Sequence, residues 1–306
     1  MELCEPGRLY NILNQQRRVS RLAEPNYLCL LDARTQREYD ESHIITARRI
    51  EQVRGEYLVP DSEELGCVRY CVVYDCETSS LDCCDYEEEE KEKGIGTDVT
   101  PRTAVQYARS LEQFTRHPVL VLRGGYKHFS ACYHFLRTQK ILWMPQELDN
   151  FQPYPVEILP AKLYMGNFKQ ACDQQIQKDL KIKAQVNISE QPATMFAEGG
   201  KYLHISVPDS LEADLFSSFA TISHFIDAQL DHGAVLVFSS LGISRSSTAT
   251  MAYLMHSCQF SLKRAWDYVL KCKTNMRPHR GFVKQLSDWE TQIYGATITD
   301  ISEPNY

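Results

Sequence analysis

AVLVFSSLGISRSSTATMAYLM, residues 234–255, is the stretch that decides how this chain folds. Ala234 to Phe238 form the short unbroken apolar run that a strand buried on both faces needs. A tight polar loop, SSLGIS, follows at residues 239–244. From Arg245 an apolar helix runs through Ala249, Met251, Ala252 and Leu254. A loop that feeds a helix N-terminus points several backbone N–H groups at one spot, and the helix dipole adds partial positive charge there. Gly242 permits a left-handed turn in such a loop. Arg245 supplies a planar, permanently charged fork suited to two phosphate oxygens. Strand, loop and helix together predict a nest for a phosphate dianion.

The surroundings repeat the alternation of strand and helix. In the second half, Leu163–Met165, Ala184–Ile188 and Tyr202–Val207 read as strands. A helix is expected over 214–230, burying Leu215, Phe219, Ile222, Phe225, Ile226 and Leu230, and two more over 262–271 and 282–293. In the first half, the apolar runs Tyr27–Ala33, Tyr70–Tyr74 and Val119–Leu122 read as strands. Helices are expected over 103–114 and after Gly124-Gly125, through Phe129, Cys132, Tyr133 and Leu136. Each half therefore predicts an α/β unit with a mainly parallel sheet covered on both faces. Gln146–Pro160 holds three prolines and reads as the linker.

At 306 residues the chain is long enough for two domains. Hydrophobic residues at 43% and charged residues at 24% are ordinary globular proportions. The net charge of −7 argues against general nucleic-acid binding or attachment to anionic membranes. Much of that charge sits in Asp82–Lys93, DCCDYEEEEKEK, with a net of −5, read as a solvated and disordered loop. Eleven cysteines, eight of them before residue 150, show no regular spacing. The odd count argues against a secreted disulfide framework, and no recurring C-x-x-C pair supports a zinc site. No metal and no cofactor are expected. No run approaches eighteen apolar residues, and the first twenty lack an apolar signal core. The expected setting is intracellular, reducing and cytoplasmic, with no membrane insertion. The early arginines leave mitochondrial import open.

Residues 155–295 resemble the dual-specificity class of cysteine-dependent protein phosphatases. That family's loop is His-Cys, five residues, Arg, then Ser or Thr. Here Phe238, Ser239, five residues, Arg245 and Ser246 stand in that order, with Gly242 at the loop glycine. Ser206-Val207-Pro208-Asp209 ahead of Ala213-Asp214-Leu215 is similar to the general-acid loop, which puts Asp209 at the general-acid position. Ala249–Met255 is similar to the helix after the loop. Arg277-Pro278, Gly281-Phe282 and Gln285-Leu286 resemble the closing helical motif, with His279-Arg280 where an asparagine usually stands.

The departures matter most. In the family a cysteine thiolate, its pKa lowered by the loop, attacks phosphorus. Here that position is Ser239, and the histidine before it is Phe238. A serine hydroxyl needs a general base, and no histidine is adjacent. The expectation is a catalytically inactive pseudophosphatase. Its phosphate-binding residues, Ser240, Leu241, Gly242, Ile243, Ser244, Arg245 and Ser246, do not depend on the cysteine. Phosphorylated proteins (at Tyr, Thr or Ser) or active phosphatases are the implied partners. A weak residual phosphatase and a scaffold that ignores phosphate are the alternatives.

Residues 15–140 are similar to rhodanese domains. Asp32-Ala33-Arg34, Tyr39, His43-Ile44 and Ala47 carry the resemblance, and so does VLRGGYKHF at 121–129. The sulfurtransferase cysteine would follow the strand ending at Tyr74. That residue is Asp75, and Cys76 is one position late. Sulfur transfer is not expected. An inactive module of this kind ahead of a dual-specificity domain is the arrangement of the MAP-kinase phosphatases, which dock a kinase through a basic cluster. The candidate cluster is Arg48, Arg49 and Arg54. The resulting plan is a rhodanese-like domain over 15–140 with an acidic loop at 76–100, a linker over 141–154, and a phosphatase-like domain over 155–297.

Overall fold

The computed structural model describes residues 1–54, 56–82, 103–142, 144–193 and 199–306. It divides into two α/β units, Met1–Phe151 and Gln152–Tyr306. Most of the expected acidic loop, including residues 83–93, lies outside the described residues.

The first unit is built on strands β1 (Glu2–Cys4), β2 (Leu28–Asp32), β3 (Arg48–Arg49), β4 (Tyr70–Tyr74) and β5 (Leu120–Leu122). Their order in the sheet is β1-β5-β4-β2-β3, and every pairing is parallel. Cys29, Leu31, Cys71, Val73 and Val121 pack on one face against Ala104, Tyr107, Ala108 and Leu111 of the helix Thr103–Leu111. Leu30, Val72 and Leu120, on the opposite face, are equally buried. Burial on both faces is why these strands are continuous apolar runs. The unit begins before residue 15. β1 extends the sheet, and the helix Pro6–Leu13 buries Leu9, Tyr10, Ile12 and Leu13.

The second unit holds β6 (Val156–Leu159), β7 (Leu163–Asn167), β8 (Ile182–Asn187), β9 (Lys201–His204) and β10 (Ala234–Ser239). The order is β6-β7-β10-β8-β9; β6 is antiparallel to β7 and the rest are parallel. The register sets Asn167 beside Ser239 and Asn187 beside Phe238, so three strands end together. Open parallel sheets form their sites at such carboxyl ends. The helix Arg245–Ser257 leaves this edge and is buried from Arg245 through Met255. It touches the helices Phe219–Leu230, Leu262–Cys272 and Arg280–Tyr294. Ser246, Ser247, Ala249 and Ala252 are small enough for close approach, and Ser247 and Thr248 return their hydroxyls to the carbonyls of Ile243 and Ser244.

Three expectations need correction. The linker reading of Gln146–Pro160 runs too far. Val156 and Ile158 are buried in an edge strand, and the prolines at 153, 155 and 160 flank that strand without entering it. Ahead of it, Pro145–Asp149 forms a short helix touching Arg21–Ala23. The expected helix over 214–230 starts as a 3-10 turn at Phe216–Ser218 and becomes α-helical at Phe219, and Phe225 and Leu230 are only half-buried. Finally, the packed structure continues past residue 297. Glu290 is fully buried and accepts from Ile298 N (2.9 Å), Thr299 N (2.8 Å), Thr299 Oγ1 (2.9 Å) and Leu262 N (2.6 Å). Glu290→Ala strips the acceptor from three buried donors and one half-buried one. We expect a loss of about 3 kcal/mol or more in the urea unfolding free energy of this unit; a change within error would show that the tail is not held this way.

Candidate phosphate-binding site

Ser239 ends β10 with its side chain 2% exposed. Its Oγ donates to Ser246 Oγ at 3.1 Å and accepts from Ser246 N at 3.3 Å. The chain then turns through Gly242 at φ +70°. A Cβ on Gly242 would stand 2.6 Å from the Gly166 carbonyl oxygen and 3.1 Å from Asn167 N. Left-handed backbone and close approach to β7 both require glycine here. Among the described residues, the N–H groups of Leu241, Gly242, Ile243 and Ser244 have no acceptor in the protein. Backbone donors in folded proteins are otherwise paired almost without exception. Four such donors lie just ahead of a 13-residue helix, the kind of place where anion nests are built.

Arg245, 8% exposed, is aimed by two bonds: Nη1 donates to Val207 O at 2.8 Å and Nη2 to Ser240 Oγ at 3.1 Å. A guanidinium carries five N–H donors, so these bonds orient the fork and leave others for a ligand. Ser244 Oγ donates to Asp209 Oδ1 (2.9 Å) and accepts from His279 N (3.0 Å), and Arg277 N donates to Ile243 O (3.0 Å). The loop is thus tied to the Asp209 segment and to the start of the helix Arg280–Tyr294. Gln285 completes the frame by accepting from Leu215 N and Phe216 N and donating to Ala213 O. Gly281 lies so close to the Leu211 carbonyl that any Cβ would collide with it. Between these parts is a pocket of about 510 Å³, whose lining includes Asp209, Leu241, Ile243, Arg245, Arg277 and Tyr306.

The loop residues 239–246 and Asp209 therefore meet as the sequence predicts. Asp209 is exposed and engages Ser244, not Ser239. Phe238 is fully buried, with its ring edge-to-face against Phe168 at 5.9 Å. It fills core volume and has no polar atom with which to orient the loop. Sequence reasoning missed Tyr306, because no motif marks a residue so far from the loop. It also missed Val207 O as the anchor for Arg245, since backbone carbonyls carry no sequence signal.

In the first unit, Asp75 follows β4 and caps the turn after it. Its carboxylate accepts from Glu77 N (3.2 Å), Thr78 N (2.9 Å), Thr78 Oγ1 (2.6 Å) and Ala104 N (3.1 Å). Arg34 pairs with buried Asp32 (2.6 Å) and lies over the Tyr126 ring at 3.8 Å. Cys76 Sγ donates to Glu38 Oε1 at 3.2 Å. Burial, and then the Glu38 carboxylate, push this thiol up to about 12. A thiol raised in this way is not primed as a thiolate nucleophile. Of the candidate docking residues, Arg48 and Arg49 lie in β3 and Arg54 follows the strand Gln52–Val53. Arg48 and Arg49 are successive strand residues and leave opposite faces of the sheet. Arg48 is held by Glu64 (2.7 Å) and Cys29 Sγ (3.2 Å), while Arg54 is exposed in the turn after Gln52–Val53. Among the described residues, no group of three His, Cys, Asp or Glu side chains could hold a metal ion, and no helix is long and apolar enough to cross a membrane.

Two measurements test these sites. Because the Cys76 pKa is raised, its alkylation by iodoacetamide should stay slow at pH 8 and accelerate only as pH approaches 12. Glu38→Gln should move that rise to lower pH, and fast labelling of Cys76 at pH 7 would contradict the geometry. Gly242→Ala should lower the unfolding free energy by about 2 kcal/mol, from left-handed strain plus the backbone collision. A neutral effect in thermal melts would mean that the loop does not pass so close to β7.

Residues 163–292 match the family described as dual specificity phosphatase, catalytic domain. The chain is 37% identical over 147 residues to dual specificity protein phosphatase Mpk3 of Drosophila melanogaster, covering 47% of this chain and 36% of that protein. It is 29% identical over 178 residues to a probable rhodanese domain-containing dual specificity protein phosphatase of Dictyostelium discoideum, covering 57% of this chain and 37% of that one. The chain thus spans little more than a third of the length of these relatives. Among solved structures, the human tyrosine phosphatase-like serine/threonine/tyrosine-interacting protein aligns at 28% identity and TM-score 0.42, over 46% of this chain and 97% of that one. The loop from Ser239 to Ser246, the Asp209 segment and the helix from Arg280 all lie in the span that matches this family's catalytic domain, and the unit ahead of that span is rhodanese-like.

Proposed function

We propose that the second unit binds phosphorylated protein segments without hydrolysing them. The observation that carries this reading is the set of four unpaired backbone N–H groups, with Arg245 aimed beside them, over a neutral Ser239. Every element of the cradle is independent of the side chain at 239. What supports the absence of turnover is the surroundings of Ser239 Oγ. Its partners among the described residues are Ser246 Oγ and Ser246 N, and neither is a base. Asp209 has the chemistry of a general acid, but proton donation to a leaving group is useful only once phosphorus has been attacked. On this reading the protein acts in signalling by occupancy. It shields a phosphosite from active phosphatases, or competes with an active relative for the same target. The first unit adds no sulfur-transfer chemistry, because Asp75 is committed to its turn and the Cys76 thiol is raised.

Titration of a fluorescent phosphopeptide tests the reading. Arg245→Ala should weaken binding tenfold or more, the scale of a charge-assisted bidentate contact. Arg245→Lys, which keeps the charge and loses the fork, should fall between. Equal binding to all three proteins would indicate a scaffold that ignores phosphate. Released phosphate should stay at background for the wild type; hydrolysis abolished by Arg245→Ala would instead establish a weak phosphatase. The double variant Phe238→His, Ser239→Cys should hydrolyse an aryl phosphate, since the cradle and Asp209 are already in place.

A further inference from the structure

Two cysteines of the first unit meet across its central sheet. The parallel register of β2 and β4 sets Cys29 beside Cys71, and both belong to the face covered by the helix Thr103–Leu111. Arg48 of β3 reaches over the same face and donates from Nη2 to Cys29 Sγ at 3.2 Å. We propose that Cys29 and Cys71 form a peroxide-reactive thiol pair, which a hydroperoxide converts to a disulfide, with Arg48 as the group that readies Cys29. The pair occupies the second residue of each strand. It is separate from the sulfurtransferase position, which lies past the carboxyl ends at Asp75 and Cys76.

Both thiols are free and buried. Buried cysteines usually serve as small apolar fillers. The guanidinium sets this pair apart. Glu64, on the helix Ser62–Cys67, holds Arg48 with Oε1 2.7 Å from Nη2 and Oε2 3.4 Å from Nη1, and the same Nη2 points at sulfur. Cys29 Sγ therefore accepts from a cation and from the Cys71 thiol. The bond from Cys71, and then the Arg48 charge working against burial, hold Cys29 below the usual thiol range. Cys71, which donates that bond and is itself buried, is raised. The two thiols thus take different parts: Cys29 carries the nucleophilic sulfur and Cys71 the proton. Arg48 is half-exposed and touches Cys29, so the sulfur lies one side chain below the surface. Hydrogen peroxide is little larger than water, and a swing of that side chain admits it.

In the first step the Cys29 thiolate attacks one peroxide oxygen. An S–O bond forms and the O–O bond breaks. The departing hydroxide takes a proton from solvent, replacing the one Cys29 gave up, and leaves as water. Sulfur has lost two electrons to the peroxide and is a sulfenic acid. Arg48 favours both the thiolate and the charge that builds on the leaving oxygen. In the second step the Cys71 sulfur attacks the Cys29 sulfur. An S–S bond forms, the S–O bond breaks, and the hydroxide leaves with the Cys71 proton as a second water. Two thiols and one peroxide have become one disulfide and two waters. Neighbouring strands stand about 4.8 Å apart, within the roughly 4.4–6.8 Å that a disulfide allows between Cα atoms. Closing the bond therefore asks for side-chain rotation and leaves the strand spacing in place.

The experiment treats the full chain with hydrogen peroxide, blocks the remaining thiols with N-ethylmaleimide in denaturant, and locates disulfides by tandem mass spectrometry. Fragment ions between Val72 and Asp75 tell Cys71 from Cys76. The expected product is a Cys29–Cys71 crosslink that dithiothreitol reverses, formed while Cys76 stays reduced. Cys71→Ala should abolish it and leave a Cys29 sulfenic acid that dimedone traps, whereas Cys76→Ala should leave the crosslink intact. Arg48→Gln should slow crosslinking about fivefold or more and move its rise with pH upward, because the thiolate loses its cation. A purely structural arginine would not shift that pH profile. The wild-type crosslink and the profile decide the matter even where a cysteine variant melts early. Recovery of Cys29 and Cys71 as maleimide adducts, after peroxide has consumed the exposed thiols Cys67, Cys132 and Cys172, overturns the proposal. A main product that links Cys29 to any cysteine other than Cys71 also overturns it. An unchanged rate and pH profile in Arg48→Gln overturns the role of Arg48.

Discussion

The passage of Gly242 against Gly166 is the constraint on which the second unit is organised. The parallel register of β7 and β10 brings Asn167 beside Ser239. The chain leaving β10 must then clear the chain leaving β7, and both contact points are glycine. A Cβ on Gly242 would meet the Gly166 carbonyl, and one on Gly166 would meet Gln170, which caps the Asn167 turn. Among the described residues the N–H groups of 241–244 have no protein acceptor, and the helix from Arg245 begins at once. The cradle is therefore formed by backbone before any ligand arrives. Ties to Val207, Asp209, His279 and Arg277 hold its rim, and none passes through the side chain at 239. Pre-formed donors of this kind spend little free energy on reorganisation when an anion binds.

What could be read from the sequence follows the range of the interactions. The strand, loop and helix of 234–255 are encoded within twenty-two residues, by an apolar run, a glycine and an arginine, and they appear where expected. The central strands Leu28–Asp32, Tyr70–Tyr74 and Leu120–Leu122 were legible because burial on both faces demands unbroken apolar runs. Edge elements were not. β1 has three residues, and β6 shows only Val156 and Ile158 between prolines, too short a pattern to compete with a linker signal. The positions of Glu290 and Tyr306 depend on contacts with Leu262 and Trp266, which no local periodicity encodes.

The two units share a substitution and have absorbed it differently. Each resembles a family whose chemistry needs a cysteine at the end of a central strand, and each has an oxygen side chain there. Asp75 has become structural. It accepts four hydrogen bonds, including one from the first turn of the helix Thr103–Leu111, and a cysteine could not replace them. Ser239 has only its two contacts with Ser246, and serine differs from cysteine by one atom. Restoring sulfur at 75 would dismantle a turn, whereas restoring it at 239 asks little of the fold. A cysteine at 75 would therefore disturb its unit more than a cysteine at 239 would disturb the other.

The neutral hydroxyl at 239 also changes what the cradle does with its positive potential. In a cysteine phosphatase the loop dipoles and the arginine serve two anions, the thiolate and the phosphate, which repel each other. Two unit charges 4 Å apart interact by about 4 kcal/mol at an effective dielectric near 20, and a phosphate dianion doubles the charge. An enzyme tolerates that repulsion because it is relieved as the thiolate charge disperses into the forming bond to phosphorus. A binder has no use for it. On the proposed reading, with Ser239 beneath the ligand, the unpaired N–H groups and Arg245 act on phosphate alone. On the proposed reading, the substitution that removes the nucleophile also lengthens occupancy, because no chemical step consumes the ligand and its residence is set by dissociation alone.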